Sequence, residues 1–361
     1  MTNSYYDGAY FGKKIFVTGH TGFKGSWLSI LLNELGAKVC GYALPPSTDP
    51  SMFSSLSLAD TMDESVLGDI LDYKKLSGVL LEFQPDIVFH LAAQPLVRRS
   101  YKEPILTYNT NVIGTLNVLE AARKCDSVKA FVNVTTDKCY ENLEKENYFY
   151  KESDRLGGYD LYSSSKACSE ILTSSYRRSF LNKDGFSLAS ARAGNVIGGG
   201  DWSEDRLIPD CIRAIVQEKN VLIRNPRAVR PWQHVWEPLH GYLLLGAKLL
   251  IGNRKYADCF NFGPKKDSCF SVIEIANMIV SMFKQGKVEV VDDKDKPHEA
   301  SILQLDSQKA KDLLGFENSL STEESVKYTV DWYRHFYFEK CDMLSFTKEQ
   351  IHSFLKQKFS E

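Results

Sequence analysis

The sequence predicts an α/β fold, a doubly wound parallel sheet with a smaller carboxy-terminal lobe. Apolar, strand-like runs alternate with helical patterns over residues 15–193, at the spacing of strand–helix–strand units. This alternation stops near Gly198, where three consecutive glycines introduce loops and shorter helices. With 361 residues and 43% hydrophobic content, the chain is long enough for one large α/β unit and an added lobe.

Each element is predicted from its own pattern. Six largely apolar runs, as expected of strands buried on both faces, are 15–18, 38–43, 65–69, 86–92, 129–135 and 187–193. Helices are predicted up to about residue 35, after Asp72 as an N-cap, and at 105–124, 161–180, 206–217, 271–283, 307–314 and 322–338. The proline-bearing runs 224–231 and 262–266 are predicted to be loops, and the last 20 residues a peripheral helix.

Charge, cysteine spacing and hydropathy exclude several classes of protein. A formal net charge of −2 gives no general attraction to nucleic acid or acidic membranes. The eight cysteines include no CxxC pair, which favours reduced thiols over metal ligands or disulfides, so no metal site is predicted. No signal peptide is evident, and the longest apolar stretch, 239–251, is too short to span a bilayer. We therefore expect a cytoplasmic protein with no membrane or nucleic-acid partner.

Residues 19–25 form a glycine-rich turn between the first predicted strand and helix, with GxxGxxG spacing. Such a turn gathers backbone N–H groups and the positive end of a helix dipole, which together bind a pyrophosphate. The first glycine suits the tight exit from the strand, the second the approach of phosphates, and the third close packing of helix on sheet. The dinucleotide-binding residues predicted here are Gly19, Thr21, Gly22, Phe23, Lys24 and Gly25.

Tyr162 and Lys166 are four residues apart and therefore share one face of a predicted helix. A nearby cation favours the phenolate and lowers the pKa of a tyrosine from its usual value of about 10. Tyr10 and Lys14 have the same spacing but only lead into the first strand. The later pair is informative because it follows the fifth strand, which ends near Thr136.

These motifs together resemble the extended short-chain dehydrogenase/reductase family, over about residues 13–340. The motifs in question are the glycine turn, Leu91-Ala92-Ala93, Thr136-Asp137 and the Tyr162/Lys166 pair. Three later segments resemble the nucleotide-sugar branch: Arg192-Ala-Gly-Asn195, Arg230-Pro-Trp-Gln-His-Val235 and Pro297-His298-Glu299. The similarity is greatest to members that remove water from a CDP-linked glucose.

The resemblance implies a Rossmann sheet and an NAD-dependent nucleotide-sugar 4,6-dehydratase, a hydro-lyase of deoxysugar and lipopolysaccharide biosynthesis. It places NAD against the glycine turn, Asp69 and Ile70 at the adenine, and Leu91, Ala92 and Ala93 after the fourth strand. The second strand lacks the acidic residue that usually binds the adenosine ribose, and His20 and Lys24 could accept the 2′-phosphate of NADP. NAD therefore follows from the resemblance rather than from this segment. The implied substrate-binding residues are Asn195, Arg230, Trp232, His234, His298 and Glu299.

The implied catalytic residues are Thr136, Asp137, Lys138, Tyr162 and Lys166. The tyrosine, with its lysine, removes the proton of the sugar 4-OH, and Thr136 hydrogen-bonds the same oxygen. Asp137 is placed to protonate the departing 6-OH. Lys138 stands where the related dTDP-glucose enzymes carry a glutamate that takes the C5 proton. It can act as that base when neutral, stabilise an enolate, or be a structural lysine paired with Glu141.

Other interpretations stay open. A 4-epimerase, or a 4,6-dehydratase of another nucleotide sugar, would share the tyrosine–lysine pair, and a non-catalytic nucleotide-binding protein would share the fold. The expected domains are an NAD-binding domain, 1–195 and about 235–262, and a nucleotide-sugar-binding lobe, 196–234 and 263–361. A homodimer or homotetramer is expected, because in this family the helices near 105–124 and 161–180 form a four-helix interface.

Overall fold

The computed structural model describes residues 2–180, 185–265, 269–291 and 302–359. Its centre is a seven-stranded sheet in which all neighbouring strands are parallel. In chain order the strands are β1 Lys14–Thr18, β2 Lys38–Ala43, β3 Glu64–Leu67, β4 Ile87–His90, β5 Ala130–Val134, β6 Ser187–Ala193 and β7 Cys259–Phe262. Their spatial order, β7-β6-β5-β4-β1-β2-β3, is that of doubly wound dinucleotide-binding sheets. The predicted fold class is confirmed.

The six predicted strands all form, and the bounds of β2 and β6 agree to the residue. The fourth strand is shorter than predicted, because the Ala92 N–H turns to the Thr18 hydroxyl (3.2 Å) instead of continuing the ladder. The seventh strand is not predicted by the pattern. It has only four residues and follows a helix, but it extends the sheet by pairing with β6.

Helices cover both faces of the sheet. In the first half they are Phe23–Glu34, Met52–Ser55, Tyr73–Phe83, Val97–Lys102, Pro104–Tyr108, Thr115–Arg123 and Leu161–Phe180, with a π-helical turn at Asn109–Gly114. In the second half they are Leu207–Val216, Trp236–Leu250, Val272–Phe283, Gln308–Leu314, Thr322–Phe338 and Met343–Phe359. Short 3-10 helices lie at Thr2–Gly8, Leu58–Thr61, Asp137–Cys139 and Arg254–Tyr256. None of the helices within the described ranges is long and apolar enough to cross a membrane.

Most predicted helices form, and their ends follow from local capping. Asp72 caps its helix by accepting from the Lys75 N–H, as predicted, and Ser271 and Ser321 each form a capping box with the glutamate three residues on. One loop prediction is wrong. Within 224–231, Val229–Pro231 is a short strand antiparallel to Cys269–Ser271. The loop predicted at 262–266 is seen from Gly263 to Lys265, and its last residue lies outside the described ranges.

The remaining short strands form parallel pairs outside the main sheet: Val196–Ile197 with Gln233–His234, Val221–Ile223 with Val288–Val290, and Phe149–Tyr150 with Gln304–Leu305. The two faces of the main sheet have separate hydrophobic cores. The larger core runs from β1 through the helix Trp236–Leu250 to the last helices of the chain and contains the fully buried Trp27, Trp236 and Trp332. The smaller core holds Phe16 of β1 against the helices Tyr73–Phe83 and Thr115–Arg123.

Candidate active site

The glycine turn connects β1 to the helix Phe23–Glu34, beside the end of β4. Gly19 has φ +79°, and a Cβ there would lie 2.8 Å from the Ala92 nitrogen. A Cβ on Gly25 would lie 2.0 Å from the Gly19 carbonyl oxygen, so neither position accepts a side chain. Gly22 begins the helix without a side-chain cap, which leaves first-turn N–H groups for an anion. The turn lies between β1 and β4, where the strand order reverses and ligands bind in such sheets.

The structure corrects the expectation that His20 could accept a 2′-phosphate. Its ring is fully buried, and a Cβ on Gly41 would lie 2.3 Å from it. Nε2 hydrogen-bonds the Ser65 hydroxyl at 2.9 Å, and burial lowers the pKa of His20 to about 4. The ring is therefore neutral near pH 7. The Lys24 ammonium donates to the Tyr242 hydroxyl at 3.4 Å, inside the protein. Neither side chain offers a cation at the end of β2.

The residues predicted near the adenine and after β4 lie along the carboxyl edge of the sheet. Asp69 follows β3, and its Oδ1 accepts from the Leu71 N–H at 2.9 Å, which fixes the bend of the chain. Ile70 is buried against the position of Gly114. Leu91, Ala92 and Ala93 continue from β4 directly beside the glycine turn. These residues therefore lie along the edge of the sheet at which ligands bind in such folds.

Thr136, Asp137 and Lys138 leave β5 in a one-turn 3-10 helix. Thr136 caps this turn by accepting from the Lys138 N–H (3.3 Å) and donates to Asp137 Oδ1 (2.9 Å). The Tyr162 phenol, at the start of the helix Leu161–Phe180, hydrogen-bonds the Thr136 side chain. Three of the predicted catalytic groups therefore form one hydrogen-bonded chain. Its carboxylate is 4% exposed, and so out of bulk water.

Lys138 extends this chain towards the second lobe. Its ammonium lies 3.8 Å from Asp137 Oδ1 and donates to Asn195 Oδ1 at 3.4 Å. The alternative of a structural pair with Glu141 is wrong, because that carboxylate pairs with Arg155 Nε at 3.0 Å. Lys138 is half-buried, with its charge directed into the site.

The electrostatics of Tyr162 differ from the sequence prediction. Burial raises the pKa of its phenol above the usual range, while the hydrogen bond with Thr136 and the charge of Arg206 lower it. The Lys166 ammonium donates to the Val134 carbonyl at 3.3 Å. The helix face that Lys166 shares with Tyr162 did not predict that the ammonium would turn to this carbonyl. Without a further cation beside the phenol, burial outweighs the effect of its neighbours.

Cationic side chains lie around the site that holds Tyr162 and Asp137. Burial lowers the pKa of Lys166 to about 8, against the charge of Glu170, which raises it. Burial and then the charge of Arg206 lower the pKa of Lys24 to about 7, and Asp137 opposes the shift. Arg206, which also pairs with Asp201 at 2.9 Å, is a residue that sequence reasoning missed. Arg206 belongs to none of the motifs described above. The sequence shows it only as an arginine at the start of a predicted helix.

The structure brings some of the predicted substrate-binding residues to the site and places others in the core. Asn195 contacts Lys138, and Arg230 lies in the strand Val229–Pro231, whose proline packs near Gly194 beside Asp137. Trp232 and His234 are not brought to the site. The indole of Trp232 is in the core and donates to the Phe270 carbonyl at 2.9 Å.

His234 is fully buried, with its ring 4.0 Å from that of Trp236, and burial lowers its pKa to about 3. Neither its ring nor that of Trp232 therefore presents an open face. His298 and Glu299 lie outside the described residues.

A glycine turn at the reversal of the strand order, with a tyrosine and a lysine one helical turn apart on the helix Leu161–Phe180, defines the extended short-chain dehydrogenase/reductase class. The chain belongs within it to the GDP-mannose 4,6 dehydratase family, whose sequence model matches residues 16–329. The resemblance predicted from the motifs is confirmed.

Individual relatives agree with this assignment. The chain is 46% identical to the CDP-glucose 4,6-dehydratase of Salmonella typhimurium, over 95% of this chain and 96% of the relative. It is 30% identical to the dTDP-glucose 4,6-dehydratase of Xanthomonas campestris, over 88% and 92% of the two chains. Among solved structures, the dTDP-glucose 4,6-dehydratase of Streptomyces venezuelae with NAD bound aligns with a TM-score of 0.77 and 25% identity, covering 89% of this chain and 97% of that one.

Proposed function

We propose that this chain is an NAD-dependent CDP-glucose 4,6-dehydratase, which converts CDP-D-glucose to CDP-4-dehydro-6-deoxy-D-glucose and water. The observation that carries the proposal is the buried Asp137 carboxylate, held by Thr136 next to the Tyr162 phenol. A 4-epimerase needs the tyrosine–lysine pair but no acid to expel a 6-OH. The 46% identity to a CDP-glucose 4,6-dehydratase supports the nucleotide.

The chain's own residues fit NAD. The glycine turn would hold the pyrophosphate, and the close approach of Gly19 to Ala92 admits no side chain at that position. The neutral, buried His20 favours NAD over NADP, because neither it nor the inward-turned Lys24 offers a cation for a 2′-phosphate. Bound there, NAD would supply the hydride acceptor for C4 of the sugar and the hydride donor for C6.

The remaining chemistry is proton movement, which the hydrogen-bonded chain can carry. Tyr162 takes the 4-OH proton, and the C4 ketone then acidifies the C5–H bond. Asp137 gives a proton to the 6-OH, which leaves as water. Over the whole reaction the 4-OH proton ends in that water, so a proton must pass from the tyrosine to the aspartate. Thr136, which bonds to both, provides the path.

We assign Lys138 as the base that removes the C5 proton. Its ammonium lies 3.8 Å from Asp137 Oδ1, so the acid and the base of the elimination are neighbours in the site. In the neutral form Lys138 removes the C5 proton during loss of the 6-OH and returns it when C6 receives hydride. The Asn195 side-chain oxygen, 3.4 Å away, orients the amine.

The cations of the site suit a nucleoside diphosphate sugar. Arg206 and Arg230 provide guanidinium groups with the planar fork that matches phosphate oxygens. We assign them, with Asn195, to the substrate diphosphate, and we keep His298 and Glu299 as predicted sugar or nucleotide contacts. In this proposal residues 1–195 and about 235–262 bind NAD, and residues 196–234 and 263–361 bind the nucleotide sugar.

We further propose a homodimer, alone or within a homotetramer, in the cytoplasm, with a product that serves deoxysugar and lipopolysaccharide synthesis. Support for the dimer comes from the outward face of the segment 104–123 and the helix Leu161–Phe180. Ile105, Ile113 and Ile171 are 76%, 45% and 56% exposed there. Large aliphatic side chains left in water on two packed helices are typical of a subunit interface.

The proposed function is tested by supplying the protein and NAD⁺ with CDP-, dTDP-, UDP- and GDP-glucose in separate reactions. We expect the 4-keto-6-deoxy product with CDP-glucose, at a higher kcat/KM than with any other sugar nucleotide. Faster turnover of another nucleotide-glucose would contradict the substrate assignment. A product epimerised at C4 with its 6-OH retained would contradict dehydration itself.

A further inference from the structure

A buried ion pair lies one helical turn beyond the catalytic lysine. Arg192 Nη2 on β6 donates to Glu170 Oε2 at 2.7 Å, and the two side chains are 4% and 2% exposed. Burial alone would raise the pKa of Glu170, but the charge and hydrogen bonds of Arg192 hold it below the usual value. The carboxylate is therefore ionised inside the protein. Desolvating two charges is costly, so such a pair needs further hydrogen bonds around it.

Glu170 joins the catalytic helix to the end of β5. Its Oε1 accepts from the Thr135 hydroxyl, and its Oε2 also accepts from the Ser190 hydroxyl at 2.7 Å. Thr135 immediately precedes Thr136 and Asp137, the start of the hydrogen-bonded chain. The carboxylate thus fixes the helix that carries Tyr162 to the turn that carries the acid.

Arg192 holds the other side of that turn. Its Nη1 donates to the Tyr140 hydroxyl at 2.7 Å, and the Tyr140 hydroxyl donates to Asn261 Oδ1 at 2.8 Å. The guanidinium also lies 5.0 Å from the centre of the Tyr140 ring. The turn 135–140 is therefore held at both ends by one buried ion pair.

Glu170 also places a negative charge near Lys166, four residues earlier on the same helix. The groups facing Lys166 from other elements are His90, Lys24 and Cys139. Burial lowers the pKa of His90 to about 3 and raises that of the Cys139 thiol, so both are uncharged at neutral pH. None of the three therefore supplies an anion to Lys166.

We propose that Glu170, held by Arg192, is a positioning residue of the dehydratase: it fixes the turn 135–140 against the catalytic helix and places a negative charge one helical turn from Lys166. The inference rests on the proposed function, since that function gives Lys166 and the turn their roles. Glu170 itself touches neither the tyrosine nor the acid.

The test is Glu170→Gln, which keeps the shape and most hydrogen bonds but removes the charge. We expect the alkaline limb of the kcat/KM profile with CDP-glucose to move to lower pH by about one unit. At the wild-type optimum kcat should fall about tenfold, with KM within about twofold of wild type, because the carboxylate is not a substrate contact. Glu170→Asp retains the charge and should restore the wild-type position of the limb.

Glu237→Gln is the matched control. Glu237 is also a buried carboxylate (1% exposed) paired with a cation, Lys358 at 2.8 Å, but it lies where the last helix docks. The Glu237→Gln variant should have a lower melting temperature than the wild type but the same pH profile of kcat/KM. Amide hydrogen exchange needs no substrate and adds a second measurement. In Glu170→Gln the amides of 135–140 should exchange about tenfold faster, and in Glu237→Gln at the wild-type rate.

An unchanged alkaline limb in Glu170→Gln, with lost stability like that of the control, would overturn the proposal and leave Glu170 a structural residue. Unchanged exchange at 135–140 would overturn the positioning role. If the wild type turned over a different nucleotide sugar, the proposed substrate would be wrong. The same pH profiles with that sugar would still decide the role of Glu170.

Discussion

The ammonium of Lys138 lies 3.8 Å from the carboxylate of Asp137. The reaction we propose needs the reverse charge state, a carboxylic acid beside a neutral amine. Both states hold the same number of protons, so moving one proton within the pair prepares the site without exchange with solvent. A glutamate in place of Lys138 would give a pair of carboxylates, whose mutual repulsion favours one shared proton over two ionised groups.

Tyr162→Phe and Asp137→Asn separate the two halves of the reaction. Tyr162→Phe removes the base for oxidation at C4, so no reduced cofactor should form. Asp137→Asn keeps the tyrosine but cannot protonate the leaving 6-OH. It should still oxidise C4, so NADH absorbance should build up on the protein while product formation falls by about 10²-fold or more.

Asp86→Asn is the control for this pair of variants, because Asp86 also contacts a lysine, Lys129 at 2.9 Å, but precedes β4 at the opposite edge of the sheet. Its kinetics should match the wild type. If Asp137→Asn lost C4 oxidation and product formation equally, with an intact circular dichroism spectrum, Asp137 would not be the elimination acid.

The role of Lys138 is decided by comparing Lys138→Met with Lys138→Arg. Arginine keeps the positive charge but cannot act as a neutral base. If the lysine removes the C5 proton, both variants should lose solvent-deuterium incorporation at C5 and at least about 10² in kcat. Substantial activity in Lys138→Arg alone would instead assign the side chain to stabilising the enolate.

The pH dependence of kcat/KM should report the loss of a proton from the buried Lys166. Its protonated form is the one that supports the phenolate, and burial lowers its pKa to about 8. The active form is therefore fully present well below pH 8 and is lost as pH rises through that value. We expect kcat/KM to decline above about pH 8, and Lys166→Arg, which stays charged, to lack this decline in whatever activity it retains. A decline that persisted in Lys166→Arg would assign it to another group.

The dimer prediction is tested on the exposed isoleucines. Ile113→Glu and Ile171→Glu each place a charge where we expect a second subunit, so light scattering at micromolar concentration should report a monomer. Leu222→Glu is the matched control, because Leu222 is 55% exposed on a strand of the other lobe. A monomeric wild type, or an unchanged mass in both isoleucine variants, would contradict this interface.

The sequence predicted elements well where one local signal was strong. The helices Leu161–Phe180 and Thr322–Phe338 agree to the residue, because periodicity and the caps around them act within a few residues. The short β7 was missed because its place depends on pairing with β6, a contact far away in the chain.

In the site, residue types and order were predictable but orientation was not. The spacing of Tyr162 and Lys166 gives a shared helix face, yet the ammonium turns to the Val134 carbonyl. His20, Trp232 and His234 carry ligand-like chemistry, but tertiary packing buries them. The Glu170–Arg192 pair could not be predicted from the sequence either, since it joins positions 22 residues apart on two elements.

The larger core gives the chain a particular order of assembly during synthesis. Glu34, at the end of the first long helix, bonds to Lys348 (3.0 Å) and His352 (2.7 Å) on the final helix. Glu34 and His352 are 318 residues apart, so this helix is translated long before the side chains that bond to its end. A nascent chain therefore leaves that surface of the helix without its partner until residues 343–359 have been made.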